Sequence, residues 1–229
     1  MEKTGKAAVA EFIATFALIF IGAGAVIAGR NGELDLTGIA LAHGLVLAIM
    51  VSVTAHLSGG VVNPAVAIGL WVTGKIGTVR AGVYIAAEVL GAIAAALLLR
   101  FLLPAASFDA GLGGAVTLRS DLLSGKAILI EAVATFFLVF AVFGTAVDDR
   151  GPFSKTGGLT IGLVIAFDIM AFGPWTGAAM NPARWLGPAL ASGTWEHWFV
   201  WILGPVAGAI VAAVTYWAVF LRGKEPVTP

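Results

Sequence analysis

Six apolar runs dominate the chain, at about 6–28, 36–56, 80–103, 126–147, 158–175 and 197–221. Each is close to the roughly twenty residues a helix needs to cross the hydrocarbon core of a bilayer. Two shorter stretches lie between the second and third runs and between the fifth and sixth. They are Ser58-Gly59-Gly60-Val61-Val62-Asn63-Pro64-Ala65 and Thr176-Gly177-Ala178-Ala179-Met180-Asn181-Pro182-Ala183-Arg184. In each, Asn-Pro-Ala follows a turn of small residues and precedes more apolar sequence. Asn is a preferred helix N-cap and Pro a preferred first helical residue, so each tripeptide predicts a helix start. Thr73-Gly74 and Ser192-Gly193 end these helices after about ten residues. That is about 15 Å, half a bilayer. Backbone polar groups in lipid need internal partners, so the turns before Asn63 and Asn181 must lie within protein or line a wet cavity. Paired half-helices in corresponding places point to a site at the membrane midplane.

The order of elements repeats. Ala10-Glu11-Phe12-Ile13-Ala14-Thr15-Phe16 matches Ile130-Glu131-Ala132-Val133-Ala134-Thr135-Phe136, Gly44-Leu45-Val46 matches Gly162-Leu163-Val164, and Gly91-Ala92-Ile93 matches Gly208-Ala209-Ile210. Repeat one covers about 6–103, a linker about 104–123, and repeat two about 124–221, together one domain. Three spans per repeat is an odd number, so the second copy is inserted upside down and the half-helices meet tip to tip. The predicted fold is an all-α membrane bundle of six transmembrane helices and two half-helices in two inverted repeats. Gly158-xxx-Gly162, Gly204-xxx-Gly208 and Ala87-xxx-Gly91 supply the small faces through which helices approach closely in lipid.

Composition agrees. Hydrophobic residues make up 59% of the chain and charged ones 11%, against about a quarter in soluble domains. Zero net charge argues against nucleic-acid binding. With no cysteine there is neither disulfide nor thiolate metal site. Three scattered His and no paired carboxylates give no enzyme constellation, and neither metal nor cofactor is expected. The first apolar run follows Lys3 and Lys6 as in a signal peptide, but it is a full span without a clear cleavage site and is read as retained. With the N-terminus inside, Lys3, Lys6, Lys75, Arg80, Arg150, Lys155, Arg222 and Lys224 are cytoplasmic. Arg30, Arg100, Arg119 and Lys126 are then outside, which favours both termini in the cytoplasm. The linker then lies outside, and the tail from Lys224 to Pro229 is expected to be disordered.

As N-caps, Asn63 and Asn181 accept helix N–H bonds on the side-chain oxygen and leave an amide NH2 to donate into the cavity. The half-helix dipoles add positive potential there, unfavourable for a cation. Arg184 stands in the first turn of the second half-helix. A charge within the membrane, at the electrostatically unfavourable end of a helix, marks a pathway.

Paired Asn-Pro-Ala motifs with an Arg directly after the second resemble the aquaporin and glycerol-facilitator family, over nearly the whole chain. The family resemblance implies passive flow of water with exclusion of ions and protons, the established mechanism of such pores. It also implies a homotetramer with one pore per protomer. His43 lies twenty residues before Asn63, Ile169 twelve before Asn181, and Ala178 three before Asn181. By family spacing, these three and Arg184 form the selectivity filter. Strict water channels of the family carry Phe on the second helix and His on the fifth. The set here resembles plant tonoplast-type aquaporins, with His43 supplying a polar group from the wall opposite Ile169. In the family, carboxylates placed like Glu11 and Glu131 accept bonds from the half-helix loops. Glu88 departs from the usual Gln. His56 is expected to fix its loop by a hydrogen bond, and His197 with Trp195, Trp198 and Trp201 resembles an interfacial belt.

Asp168 lies about 100° around the helix from Ile169, leaving a buried contact, an oligomer axis and the pore open. Trp185 and Ala189 stand where glycerol facilitators carry Asp and a basic residue, which favours water. The expected permeants are water and small neutral solutes such as ammonia or hydrogen peroxide, and the expected location is the plasma membrane. A glycerol facilitator, a secondary transporter and a closed-pore structural protein are the competing readings.

Overall fold

The computed structural model describes residues 2–151 and 156–223, and these are helical with no strand among them. The helices are α1 (Glu2–Arg30), α2 (Leu36–Thr54), α3 (Pro64–Val72), α4 (Thr78–Leu102), α5 (Ala105–Ala110), α6 (Ser124–Val142), α7 (Gly157–Thr176), α8 (Pro182–Ser192) and α9 (Val200–Tyr216). A π-type turn extends α6 over Phe143–Val147 and another extends α9 over Trp217–Leu221. The six helices α1, α2, α4, α6, α7 and α9 are long and apolar enough to cross a membrane. The half-helices α3 and α8 have 9 and 11 residues. Lys155, Lys224, the side chain of Lys3 and the tail 224–229 lie outside the described residues.

Packing follows the repeat. Within each copy the first span lies along the last, α1 on α4 and α6 on α9, while α2 and α7 cross between copies. Each half-helix also packs on the last span of the other copy, α3 on α9 and α8 on α4. Small residues permit these approaches. A β-carbon on Gly44 would lie 2.6 Å from the carbonyl oxygen of Gly162, and one on Gly162 would meet the Gly44 carbonyl. Packed backbone cannot yield as a side chain does, so this crossing requires glycine on both helices. Arg100 near the end of α4 donates to the Ala191 carbonyl in the last turn of α8 at 2.6 Å, a cation at the negative end of a helix.

The linker is more than a connection. After α5 and a 3-10 turn over Leu112–Gly114, Ala115 and Val116 are buried and Val116 packs against Gly177. Arg119 N–H bonds the Trp175 carbonyl at 3.0 Å, and its guanidinium lies 3.6 Å over the Trp175 ring. At the opposite end, Asp148 takes both Arg150 guanidinium bonds, at 2.7 and 2.6 Å, and the Tyr216 hydroxyl at 3.1 Å. The Arg150 bonds hold the Asp148 carboxyl down at about 2. Arg150 also reaches the Phe220 carbonyl at 2.8 Å, tying the end of α6 to the end of α9.

Two expectations change. Trp201 is 1% exposed and donates from Nε1 to the Thr176 carbonyl at 2.9 Å. It is a strut under the second half-helix loop, while Trp195 and Trp198 are exposed and suit an interfacial belt. His56 is exposed and makes no hydrogen bond among the described residues. Its loop is held by the Tyr84 hydroxyl, which donates to the Ser58 carbonyl at 2.7 Å from the neighbouring α4.

Candidate pore and selectivity filter

Two matched loops deliver the half-helices to the centre of the bundle. Asn63 caps α3 by accepting from Ala65 N–H at 2.9 Å, and Asn181 caps α8 by accepting from Ala183 and Arg184 N–H at 2.9 and 3.3 Å. Pro64 and Pro182 open the helices, and Ala65 and Ala183 are fully buried against the tips. The residue before each Asn has positive φ, Val62 at 55° and Met180 at 50°. For a residue other than glycine this is a strained conformation, on the order of 1–3 kcal/mol, and most so for the β-branched Val62.

A buried carboxylate holds each strained loop. Glu11 accepts from Val61 and Val62 N–H at 2.9 and 2.6 Å. Glu131 accepts from Ala179 and Met180 N–H at 3.0 and 2.8 Å and from the Thr176 hydroxyl at 2.7 Å. Both carboxylates are 0% exposed. Each pair of carboxyl oxygens satisfies N–H groups that water cannot reach.

The tips are also cross-tied. Asn63 Nδ2 donates to the Met180 carbonyl at 2.8 Å, and Asn181 Nδ2 to the Val62 carbonyl at 3.0 Å. One amide hydrogen of each Asn is therefore used within the protein. The other remains for the cavity, half the donor capacity expected from the sequence.

Both Asn side chains line one cavity together with His43, Ile169, Ala178 and Arg184, walled otherwise by residues such as Leu18, Leu47, Val66, Leu138 and Ile165. This cavity shares Ile169 and Arg184 with a vestibule on the linker side, and Gly60, Val61, Val66, Val142 and Ile161 with one on the side of the termini. Through these shared walls the three voids follow one another along the bundle.

Arg184 is 4% exposed. Its Nε donates to His43 Nε2 at 3.1 Å and its Nη1 to the Gly114 carbonyl at 2.9 Å. The first bond makes His43 Nε2 an acceptor, so the ring proton is on Nδ1, which lies 2.9 Å from the Ile39 carbonyl and donates to it. Both ring nitrogens of His43 are thus occupied. Instead of presenting a free polar group from the wall opposite Ile169, His43 holds Arg184. Two of the five guanidinium N–H groups are used, which leaves three for the pore. Gly22 gives the ring its space, since a β-carbon there would lie 2.5 Å from His43 Nε2.

The Gly114 carbonyl was not predicted. Nothing in the Ala- and Gly-rich linker distinguishes a filter wall from a surface bend, and only the tertiary path brings it to Arg184. Asp168 is 1% exposed, does not line the pore, and has no hydrogen-bond partner for Oδ2. Glu88 is 0% exposed, and among the described residues neither carboxyl oxygen has a donor in hydrogen-bond geometry, although the Asn63 N–H faces it. No cluster among the described residues could hold a metal ion.

A six-span bundle with a central cavity that shares walls with a vestibule on either side is the architecture of a membrane channel. The major intrinsic protein family model matches residues 2–216. Aquaporin TIP4-4 of Zea mays is 42% identical over 238 residues, 97% of this chain and 90% of that one. Probable aquaporin TIP3-2 of Oryza sativa subsp. japonica is 42% identical over 227 residues, covering 96% and 84%. The X-ray structure of the aquaglyceroporin from Plasmodium falciparum superposes with a TM-score of 0.85 at 26% identity, covering 95% and 97%. The chain belongs to the major intrinsic protein family. It is an integral multi-pass membrane channel of the aquaporin type, and this family is not enzymatic.

Proposed function

We propose that the protein conducts water passively down an osmotic gradient and excludes ions and protons. The observation that carries this reading is that both motif asparagines and all four filter residues border one cavity. Each Asn offers one free amide hydrogen to a water oxygen at the midplane, where the dipoles of two helix N-termini converge. A cation or hydrated proton there would lose solvation in a positive field, and Arg184 repeats that barrier toward the linker side.

Filter composition sets the solute range. Arg184 supplies the polar side and Ile169 the apolar side, while Ala178 is small. Ammonia and hydrogen peroxide pass such a filter; glycerol, which needs a longer apolar wall opposite the Arg, is slow. The functional unit is a homotetramer with both termini cytoplasmic. The relatives are of the tonoplast type, which favours a tonoplast-type membrane over the plasma membrane expected from sequence.

Stopped-flow light scattering on reconstituted vesicles tests the reading. Water flux should rise with a low activation energy and without proton current, and ammonia flux should exceed that of bare vesicles. Ile169→His combined with His43→Phe should cut ammonia flux and keep water flux. A proton current comparable to the water flux would overturn ion exclusion. Water flux without ammonia flux would overturn only the filter assignment.

A further inference from the structure

We infer that Arg30, at the end of α1, is a positioning residue that sets solute selectivity by clamping the linker whose carbonyl holds Arg184. This rests on the assignment of Arg184 to the filter. Arg30 Nη1 donates to the Gly111 carbonyl at 3.0 Å, and Nη2 to the Thr117 hydroxyl at 3.0 Å. Its two arms bracket the segment from Gly111 to Thr117, and Gly114, the acceptor for Arg184 Nη1, lies at the middle of that bracket. Next to Arg30, Asn31 Nδ2 donates to the Ser107 carbonyl at 3.0 Å, so the last residue of α1 and the one after it grip the linker at three points.

The clamped segment has little freedom of its own. Gly114 has φ of +74° and its Cα faces Ala23, with a β-carbon there only 2.5 Å from the Ala23 carbonyl oxygen. Gly111 lies against Ile27 in the same way. The linker therefore rests directly on α1 through glycines that leave no room for a β-carbon, and a shift at either anchor moves the Gly114 carbonyl. At the far end of the segment, Val116 contacts Gly177, directly before Ala178. One bonded and closely packed ribbon thus links the end of α1 to two walls of the filter. Arg30 and Arg184 border the same vestibule, so the clamp also adds a second cation at the mouth.

Without the clamp, the Gly114 carbonyl moves, Arg184 loses a fixed acceptor and samples orientations that open the filter. Larger solutes then gain relative to water. The glycerol-to-water permeability ratio of reconstituted vesicles reads this directly. Arg30→Ala should raise it about two- to tenfold, the range expected for losing one ordinary hydrogen bond at the filter. Thr117→Val removes one anchor without changing charge and should move the ratio in the same direction, which separates positioning from electrostatics. Arg30→Lys, which keeps the charge but not the two-armed reach, should fall between wild type and Arg30→Ala. In an Arg184→Ala background, Arg30→Ala should add nothing.

An unchanged ratio in both Arg30→Ala and Thr117→Val would overturn the clamp, provided Arg184→Ala changes it. If Arg184→Ala itself leaves the ratio unaltered, the filter assignment fails first and the clamp with it. Parallel loss of both permeabilities in all variants, with poor recovery of folded protein, would mean that Arg30 only supports the fold and would also overturn the proposal.

Discussion

At the residue scale, the pore depends on polar groups that are buried and nearly all satisfied. Glu131 shows the logic most clearly, because three donors converge on its two oxygens in a site without water access. Glu131→Ala strands two loop N–H groups at about 1–3 kcal/mol each and releases the strained Met180 backbone. The expected outcome is loss of folded protein rather than altered selectivity, read as recovery from a size-exclusion column and as melting temperature. Normal recovery with a changed solute range would move Glu131 from scaffold to filter. Glu88 is the contrast. Among the described residues no donor meets hydrogen-bond geometry at its oxygens, and the Asn63 N–H is the one group that faces them, so Glu88→Gln keeps the shape and an acceptor for that N–H and removes any cost of an uncompensated buried charge. The substituted protein should melt no lower than wild type and keep its water flux.

At the element scale, the crossing of α2 and α7 sets the bore. His43 is adjacent to the contact glycine Gly44, and Ile169 lies two turns beyond Gly162, so helix separation at the crossing fixes the distance between these two filter walls. Gly162→Ala places a methyl against the Gly44 carbonyl and should cost about 1–3 kcal/mol, as overpacking does in closely packed interiors. Gly82→Ala, where nothing lies within 4 Å, is the control and should be neutral or slightly stabilising. Comparing the melting temperatures checks both, and equal values for the pair would remove the crossing as the determinant.

At the scale of the whole molecule, the repeats are interlocked rather than juxtaposed. Each half-helix packs on the last span of the other copy, and each motif Asn bonds a carbonyl of the opposite loop. Neither copy can complete its midplane alone. Residues 1–110 and 111–229 expressed separately should therefore not give a folded half, whereas co-expression should restore a complex with water flux. A stable, monodisperse first half on its own would contradict this.

Much of this plan was legible in the chain. Span number follows from the length of the apolar runs, because lipid forces every backbone group to bond within its helix. The half-helices follow from Asn-Pro at their starts, and the positions of Glu11 and Glu131 follow from the repeat. What the sequence could not convey depends on contacts between residues far apart in it. His43 was read as a polar wall, but its Nε2 accepts from Arg184, 141 residues away. Trp201 was read as part of a belt, but its indole reaches the Thr176 carbonyl. Gly114, in a linker of small residues with no periodic pattern, supplies a filter acceptor. Local composition determines whether a segment is helix, cap or turn, since those preferences act over a few residues. Only tertiary packing decides which donor meets which acceptor, because a buried polar group takes whatever partner the surrounding fold brings within reach.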